Sequence, residues 1–173
     1  PQLDNNYHQE ENTTADQQFN NVSILCATKV HVERINDICL NKQSGELHVL
    51  TSADEIIQEN DNGNFFPHEF LESLNPSGLP LHKLKLKIGS PVILLRNIDS
   101  KGLCNGTRLQ ITGIQTFSLL AKVLTGPKKN EIVLIPRVDL TSAESKLPFF
   151  FKRRQYPIKL AFAMTINKSQ GQS

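Results

Sequence analysis

The sequence contains no tryptophan, one methionine and only three cysteines in 173 residues. Cys26, Cys39 and Cys104 are odd in number, widely spaced and without a Cys-x-x-Cys pair. This argues against a disulfide framework and against a zinc site, because both need paired or clustered ligands. We therefore predict no metal site, and we expect apolar, reduced cysteines in a protein that is not secreted.

The sequence also lacks long apolar segments and a recognisable export signal. No apolar run approaches the roughly 20 residues that cross a bilayer, and residues 1–21 are polar and acidic. We predict no membrane partner and a polar linker or disordered lead-in over residues 1–21. The chain begins without methionine and ends within a motif, so we expect it to be a fragment.

Sequence signatures of a catalytic centre are missing as well. There is no Gly-x-x-x-x-Gly-Lys-Ser/Thr loop, which would cradle the phosphates of a nucleotide. The pair Asp54-Glu55 resembles a magnesium-binding acidic motif, but without a phosphate-binding loop we interpret it as a solvated loop. We predict no catalytic residue in this chain and no ATP hydrolysis by the chain alone.

The formal net charge of +2 hides a strong asymmetry along the chain. Residues 1–72 contain three Lys or Arg and thirteen Asp or Glu, a net of −10. Residues 73–173 contain sixteen Lys or Arg and four Asp or Glu, a net of +12. A basic half of this kind favours a polyanionic partner, although a solvated basic face is an equally simple interpretation.

The hydrophobic pattern predicts an α/β scaffold interrupted by a β-rich module. Residues 22–27 form a near-continuous apolar run, typical of a strand buried on both faces. Val30, Ile35, Ile38 and Cys39 follow at spacings that predict one buried face of a helix. From residue 83 onwards, short strands and turns at close spacing indicate a small antiparallel barrel. The segment 158–164 then predicts a single strand that leads into a polar loop.

Two segments are candidates for binding phosphate. Thr165, Lys168 and Ser169 follow the last predicted strand, where backbone N–H groups, hydroxyls and a lysine could each hold one phosphate. Residues 149–154 place Lys152, Arg153 and Arg154 beside three phenylalanines, a combination suited to charge contacts and base stacking. An ordinary loop, and core aromatics with solvated charges, are the alternatives.

A third basic feature lies in the predicted β module. Lys83, Lys85 and Lys87 alternate with apolar residues, so they share one face of a predicted strand. They could form a basic stripe on the surface of the barrel.

Several long strings, in order, resemble one helicase family. The sequence is similar to Pif-type (petite integration frequency) ATP-dependent DNA helicases of superfamily 1B from about Val22 to Ser173. The strings that carry the resemblance are Leu74-Asn-Pro-Ser-Gly-Leu-Pro80, Leu94-Leu-Arg-Asn-Ile-Asp99, Gly102-Leu-Cys-Asn-Gly-Thr-Arg-Leu109, Ile135-Pro-Arg137, Phe151-Lys-Arg-Arg-Gln-Tyr-Pro157 and Ala161-Phe-Ala-Met-Thr-Ile-Asn-Lys-Ser-Gln-Gly-Gln-Ser173. The last string resembles helicase motif V. Related sequences also occur in Helitron-like transposons.

The resemblance implies a partial RecA-like, P-loop-type α/β domain with an inserted SH3-like antiparallel β-barrel. Residues 22–69 would begin the second RecA-like domain and its connector. Residues 70–114 would form the inserted barrel, called the 2B domain. Residues 115–173 would return to the RecA-like sheet and end in motif V.

The resemblance also implies residue roles. Thr165, Asn167, Lys168 and Ser169 match the motif V positions that touch single-stranded DNA, and Gln170 and Gly171 match those that couple towards the nucleotide. Lys29 replaces the polar DNA contact that the family carries after its first strand, where the family has a Thr-Pro-x-Asn type run. Arg153 and Arg154 complete the expected DNA-binding set.

The implied parent protein unwinds DNA in replication, repair, recombination or telomere maintenance, in the nucleus or mitochondrion. Its cofactors would be ATP and Mg, bound largely by a first RecA-like domain that this chain lacks. The fragment alone would bind neither cofactor, and its partner would be single-stranded DNA. The alternative is a non-catalytic nucleic-acid-binding protein, or a degenerate remnant of a helicase or Helitron-like gene.

Overall fold

The computed structural model describes residues 22–57, 66–76, 78–99, 101–141 and 149–166. These ranges contain the helices α1 (Lys29–Lys42) and α2 (His68–Ser73). The strands in chain order are β1 (Ile24–Cys26), β2 (His48–Thr51), β3 (Ala53–Ile57), β4 (Lys83–Leu86), β5 (Pro91–Leu94), β6 (Arg108–Ile114), β7 (Ser118–Val123), β8 (Ile132–Pro136), β9 (Val138–Thr141), β10 (Phe150–Gln155), β11 (Ile158–Leu160) and β12 (Ala163–Thr165). The predicted α/β class is confirmed.

The two ends of the described chain meet in a parallel pair of strands. β1 pairs with β12, with Ile24 opposite Ala163 and Cys26 opposite Thr165. Helix α1 covers this pair, and Cys26, Val32 and Ala163 form a small core with Ile35 packed against it. The strand β1 was predicted, but not its exposure: only Cys26 is buried, while Ile24 and Leu25 are exposed. Among the described residues, this strand has a single neighbour.

The largest sheet is antiparallel and has the strand order β11-β5-β6-β7-β8. A register shift between Ile111 and Gly113 bends β6 against β7. The separate β2–β4 pair packs onto this sheet, so that Leu84 and Leu86 share one core with Val92, Leu109 and other buried residues. Hydrogen bonding does not close these strands into a barrel within the described residues. The sheet also includes strands beyond residue 114, so the predicted module boundary does not coincide with a boundary of the sheet.

A third sheet joins distant parts of the chain in the order β3-β10-β9. Its buried face meets α2 in a core formed by Leu71, Phe149 and Phe151. The strand β3 corrects the interpretation of Asp54-Glu55 as a solvated loop. Both residues lie in this strand, opposite Arg153 and Lys152 of β10.

The predicted buried face of α1 was only partly right, since Ile35 and Cys39 are half-buried but Val30 and Ile38 are not. Val30 is 71% exposed and Ile38 is 44% exposed, whereas the buried positions are Val32, Asn36 and Leu40. The apolar pattern misled because a polar residue, Asn36, is buried at the centre of the true face. Its amide satisfies backbone groups at the start of β12, which hydrophobicity cannot indicate.

The last predicted strand, residues 158–164, is two strands in two sheets. β11 pairs antiparallel with β5, and three residues later β12 pairs parallel with β1. The chain crosses between them at Ala161 and Phe162, whose backbone groups bond to Pro91 and Ile24. This crossing joins the antiparallel sheet directly to the parallel pair.

Candidate nucleic-acid interface

The parallel pair brings two predicted contact residues to one edge of a sheet. Parallel strands end at the same edge, and Cys26 at the end of β1 lies opposite Thr165 at the end of β12. The chain leaves β1 through Ala27 and Thr28 and enters α1 at Lys29. Thr165 and the N-terminus of α1 therefore lie at the same carboxyl edge.

The start of α1 has a positive electrostatic character. Thr28 is its N-cap, and the Thr28 hydroxyl accepts a hydrogen bond from the backbone N–H of His31 at 3.4 Å. The first turn contains no acidic residue, and Lys29 is exposed. Unsatisfied N–H groups and a lysine at one helix end favour an anion there.

Asn36, on the buried face of α1, hydrogen-bonds the backbone next to β12. Its side-chain oxygen accepts a hydrogen bond from the Ala163 N–H at 2.9 Å. Its amide nitrogen donates to the carbonyl oxygens of Leu160 at 3.4 Å and of Ala163 at 3.5 Å. Because this one buried amide bonds the last residue of β11 and the first residue of β12, β12 is fixed in position against α1. Thr165 is half-buried, and Ile166 beyond it is 42% exposed.

The remaining predicted motif V residues cannot be placed on this geometry. Asn167, Lys168, Ser169, Gln170 and Gly171 lie outside the described residues. Their roles in DNA binding and nucleotide coupling stay predictions.

The structure corrects the prediction for Arg153. Its side chain is fully buried, and its guanidinium forms a bidentate pair with Asp54, at 2.9 Å from Nε and 2.7 Å from Nη2. The same guanidinium donates to the carbonyl oxygens of Pro80 at 3.0 Å and Leu71 at 3.3 Å. A cation with four internal hydrogen bonds and no exposed surface belongs to the packing of the fold, not to a DNA groove.

Asp54 is the centre of this buried network. Its carboxylate also accepts a hydrogen bond from the Ser52 hydroxyl at 2.6 Å and lies 3.2 Å from His82 Nδ1. Burial raises the pKa of Asp54. Hydrogen bonds from Arg153 and Ser52, with the charges of Arg153 and His82, more than offset burial, so the pKa of Asp54 lies below its ordinary value of 3.8.

The two neighbours of Arg153 point to the other face of β10 and also meet carboxylates. Lys152 lies opposite Glu55, with 2.5 Å between Nζ and Oε2, and this hydrogen bond raises the pKa of Lys152. Arg154 lies opposite Asp139 at 3.9 Å, and its side chain is 64% exposed. Each cation of the basic run thus has an acidic partner on an adjacent strand. Only Arg154 keeps the exposure that the predicted DNA contact needs.

The aromatic residues of the same segment are divided between the two faces. Phe149 and Phe151 are buried, whereas Phe150 is 59% exposed. The alternative of core aromatics therefore holds for two of the three rings. The lysine stripe is similarly reduced, because Lys83 and Lys85 are exposed but Lys87 is buried, with Nζ donating to the Gln43 carbonyl at 2.5 Å.

The sequence contains a weak signal for the acidic partners of the basic run. Asp54-Glu55 is an acidic pair and Lys152-Arg153 is a basic pair. Antiparallel pairing of their two strands puts each carboxylate opposite a cation. The signal was present, but 97 residues separate Glu55 from Lys152. Without the register, it could not be told from two solvated charge pairs.

No group of three or more His, Cys, Asp or Glu in the described part of the chain could hold a metal ion. None of the helices in those ranges is long and apolar enough to span a membrane.

Sequence comparisons relate this chain to known DNA helicases. The family model described as "DNA helicase Pif1, 2B domain" matches residues 69–114. ATP-dependent DNA helicase PIF1 of Rattus norvegicus is 28% identical over 153 residues, which cover 86% of this chain and 22% of that protein. The Homo sapiens protein of the same name is 28% identical over 149 residues, covering 85% and 21%. The chain is thus similar to Pif1-type DNA helicases, and residues 69–114 match their 2B domain. It spans about a fifth of the length of these curated relatives.

Solved Pif1 structures share the fold. The crystal structure of Pif1 helicase from Candida albicans superposes with a TM-score of 0.64 at 23% identity, covering 87% of this chain and 37% of that one. The crystal structure of Bacteroides Pif1 bound to ssDNA gives a TM-score of 0.63 at 24% identity, covering 88% and 33%. The chain therefore shares its fold, including the parallel pair, α1 and the antiparallel sheets, with the matched part of these structures.

Proposed function

We propose that this chain contributes single-stranded DNA binding and coupling to an ATP-dependent DNA helicase of the Pif1 type. The observation that supports this most directly is the register of β1 and β12, which puts Thr165 and the N-terminus of α1 at one sheet edge. Ligands of α/β proteins bind at the carboxyl edge of parallel strands. The solved structure of Bacteroides Pif1 bound to ssDNA has the same fold.

The proposed contacts are to phosphate rather than to bases. The free N–H groups of the first turn of α1 and the Lys29 ammonium would hold one phosphate. The Thr165 hydroxyl would donate to a neighbouring phosphate, and Asn167, Lys168 and Ser169 would extend the track. Arg154, on the exposed face of β10, would add a weaker contact, because Asp139 competes for its charge.

The finer assignment of domains is part of this proposal. The parallel pair with α1 would belong to a RecA-like domain, of which Thr165 begins motif V. The antiparallel sheet together with the β2–β4 pair would be the inserted SH3-like 2B module. Leu84 and Leu86 of β4 pack in one core with the buried residues of the antiparallel sheet, which supports this grouping.

The nucleotide would be bound mainly by residues outside this chain. The curated relatives are ATP-dependent DNA helicases, and one solved Bacteroides Pif1 structure is a complex with ADP-AlF4. This sequence has no phosphate-binding loop, so its residues do not fit the role of an ATP and Mg site. Gln170 and Gly171 would only sense the nucleotide that a first RecA-like domain holds. The DNA-directed role fits the nuclear or mitochondrial location expected from the family.

The proposal is tested by comparing two lysines of one helix. Lys29→Ala should weaken binding of a labelled oligo(dT) about fivefold, because a charge-assisted contact to phosphate contributes about 1 kcal/mol. The slope of log K against log salt should shrink by about 0.7, the value expected for one lost phosphate contact. Fluorescence anisotropy at several salt concentrations measures both quantities.

Lys42→Ala is the matched control. It removes the same charge from the exposed last turn of α1, roughly 20 Å from Lys29 along the helix. We expect its affinity and salt slope to match the unaltered chain. Equal losses in the two variants would mean that DNA senses only net charge, and the proposed edge would be wrong.

A further inference from the structure

We infer that Gln43 is a positioning residue that links the DNA-binding end of α1 to the antiparallel sheet module. This inference rests on the proposed function, because it concerns how DNA held at one end of the helix is sensed at the other. Gln43 is the C-cap of α1, and its N–H donates to the Cys39 carbonyl at 2.9 Å. It is 8% exposed and faces the turn between β4 and β5.

Every polar group of Gln43 has a partner. Its side-chain nitrogen donates to the Ile88 carbonyl at 2.9 Å, and its side-chain oxygen accepts from the Ser90 hydroxyl at 2.8 Å. Its backbone carbonyl accepts from the Lys87 ammonium at 2.5 Å. The Ser90 hydroxyl in turn accepts from the Lys87 N–H at 3.1 Å. One residue of α1 therefore bonds three of the four residues of this turn.

The fourth residue, Gly89, shows how closely the two parts approach. A Cβ atom built on Gly89 would lie 2.8 Å from the side-chain nitrogen of Gln43, which is closer than such atoms approach. Gly89 has a φ of +91°, which an L side chain rarely adopts. The turn is thus shaped to receive the Gln43 amide.

The Lys87 ammonium also stabilises this contact between α1 and the β4–β5 turn. Its ammonium lies at the C-terminus of α1, where the helix dipole is negative and the last carbonyl groups need donors. A buried lysine is costly unless it is paired, and here the Gln43 carbonyl at the helix end is its partner. The turn and the helix therefore satisfy each other, and separating them would leave buried polar groups on both sides.

A second bridge makes the helix a rigid connector. Asn36 bonds the Leu160 carbonyl at the end of β11 as well as Ala163 in β12. The buried face of α1 thus has one amide at its middle and one at its end, and both bond the sheet module. A displacement of the α1 N-terminus by bound DNA would be transmitted along about 20 Å of helix to the β4–β5 turn.

Hydrogen–deuterium exchange with and without oligo(dT) tests the link. In the unaltered chain, we expect DNA to slow exchange about fivefold at residues 27–32 and again at residues 87–90, the size of a modest coupling between two sites. In Gln43→Ala, the protection at 27–32 should persist and the DNA-dependent change at 87–90 should disappear. A residue that only stabilises the fold would alter basal exchange but not this difference.

Two further variants keep the test decisive. Asn41→Ala removes an exposed amide two residues earlier and should behave like the unaltered chain. Ser90→Ala removes one bond to Gln43 and the acceptor of the Lys87 N–H, so basal exchange at Lys87 should rise and the DNA-dependent response at 87–90 should fall even if Gln43→Ala does not fold. DNA-dependent protection at 87–90 that survives in both Gln43→Ala and Ser90→Ala would overturn the inference, as would protection at 27–32 alone in the unaltered chain. Absence of DNA binding by the unaltered chain would instead overturn the proposed function.

Discussion

At the scale of single residues, buried ion pairs decide which charges are available to a partner. Arg153 and Arg154 are adjacent in sequence, but one is fully buried with Asp54 and the other is exposed opposite Asp139. A bidentate pair in the interior is costly to break, because the remaining charge has no water to replace its partner. An exposed pair contributes little. The same residue type therefore has a structural role at one position and is an exposed, weakly paired charge at the next.

Removing Asp54 should destabilise the protein strongly. Asp54→Ala leaves the Arg153 guanidinium buried without its carboxylate, and we expect a loss of about 3–5 kcal/mol in the free energy of unfolding. Asp139→Ala, which breaks only the exposed pair, should cost less than about 1 kcal/mol. Urea unfolding followed by circular dichroism measures both. Similar small losses would show that Arg153 does not depend on Asp54.

The depressed pKa of Asp54 predicts a particular response to acid. Its folded pKa lies below the ordinary value of 3.8, so its ionised form stabilises the fold fully above that value. The contribution is lost as pH falls from about 4 through the folded pKa. Unfolding midpoints in urea between pH 7 and pH 2.5 should fall over that acidic range. In Asp54→Asn the fall should be shallower, and an unchanged acid profile would contradict this assignment.

At the scale of elements, helix α1 shows where pattern reading succeeds and where it fails. The helix and its preceding strand were predicted from the apolar run 22–27 and the spacing that follows it. The buried face was partly misplaced, since Asn36 and Gln43 occupy buried positions that a hydrophobic pattern assigns to solvent. Such positions can be recognised only when their backbone partners in Leu160, Ala163 and Ile88 are known.

Two substitutions distinguish the predicted face from the observed one. Leu40 is 2% exposed, so Leu40→Ala should cost about 2–5 kcal/mol in the free energy of unfolding. Ile38 is 44% exposed, and Ile38→Ala should cost less than about 1 kcal/mol. Both variants place alanine at a helical position, so helix propensity changes little between them. A larger loss for Ile38→Ala would restore the original helix face.

Some features of the sheets were likewise predictable from the sequence, and others were not. Alternation of Lys and Leu predicted β4, and Asn105-Gly106 marked the turn before β6, where Gly106 has a φ of +93°. The sheet β3-β10-β9 was not predicted, because its strands come from residues 53–57, 138–141 and 150–155. Long-range antiparallel register has no local signal. The switch of sheet after Leu160 was missed because its two strands form one apolar run.

At the scale of the whole molecule, the formal charge overstates what a polyanion can use. Of the sixteen cations after residue 72, Lys87 and Arg153 are buried, and Lys128 and Lys152 have carboxylate partners at 2.5 Å. Asp99 is the partner of Lys128, and that hydrogen bond lowers the pKa of Asp99. The net of +12 therefore describes composition, while the charge available to DNA is concentrated in the remaining exposed residues.

The chain as a whole should bind single-stranded DNA in a salt-sensitive manner and should not hydrolyse ATP. About three phosphate contacts would give a slope near −2 in log K against log salt, so raising salt from about 50 to about 200 mM should weaken binding roughly tenfold to twentyfold. Turnover should stay at background with and without DNA, because the sequence has no loop to hold nucleotide phosphates. Anisotropy titrations and a phosphate-release assay measure the two properties. Salt-independent affinity would contradict the phosphate track, and DNA-stimulated phosphate release would show that the chain contains a nucleotide site of another kind.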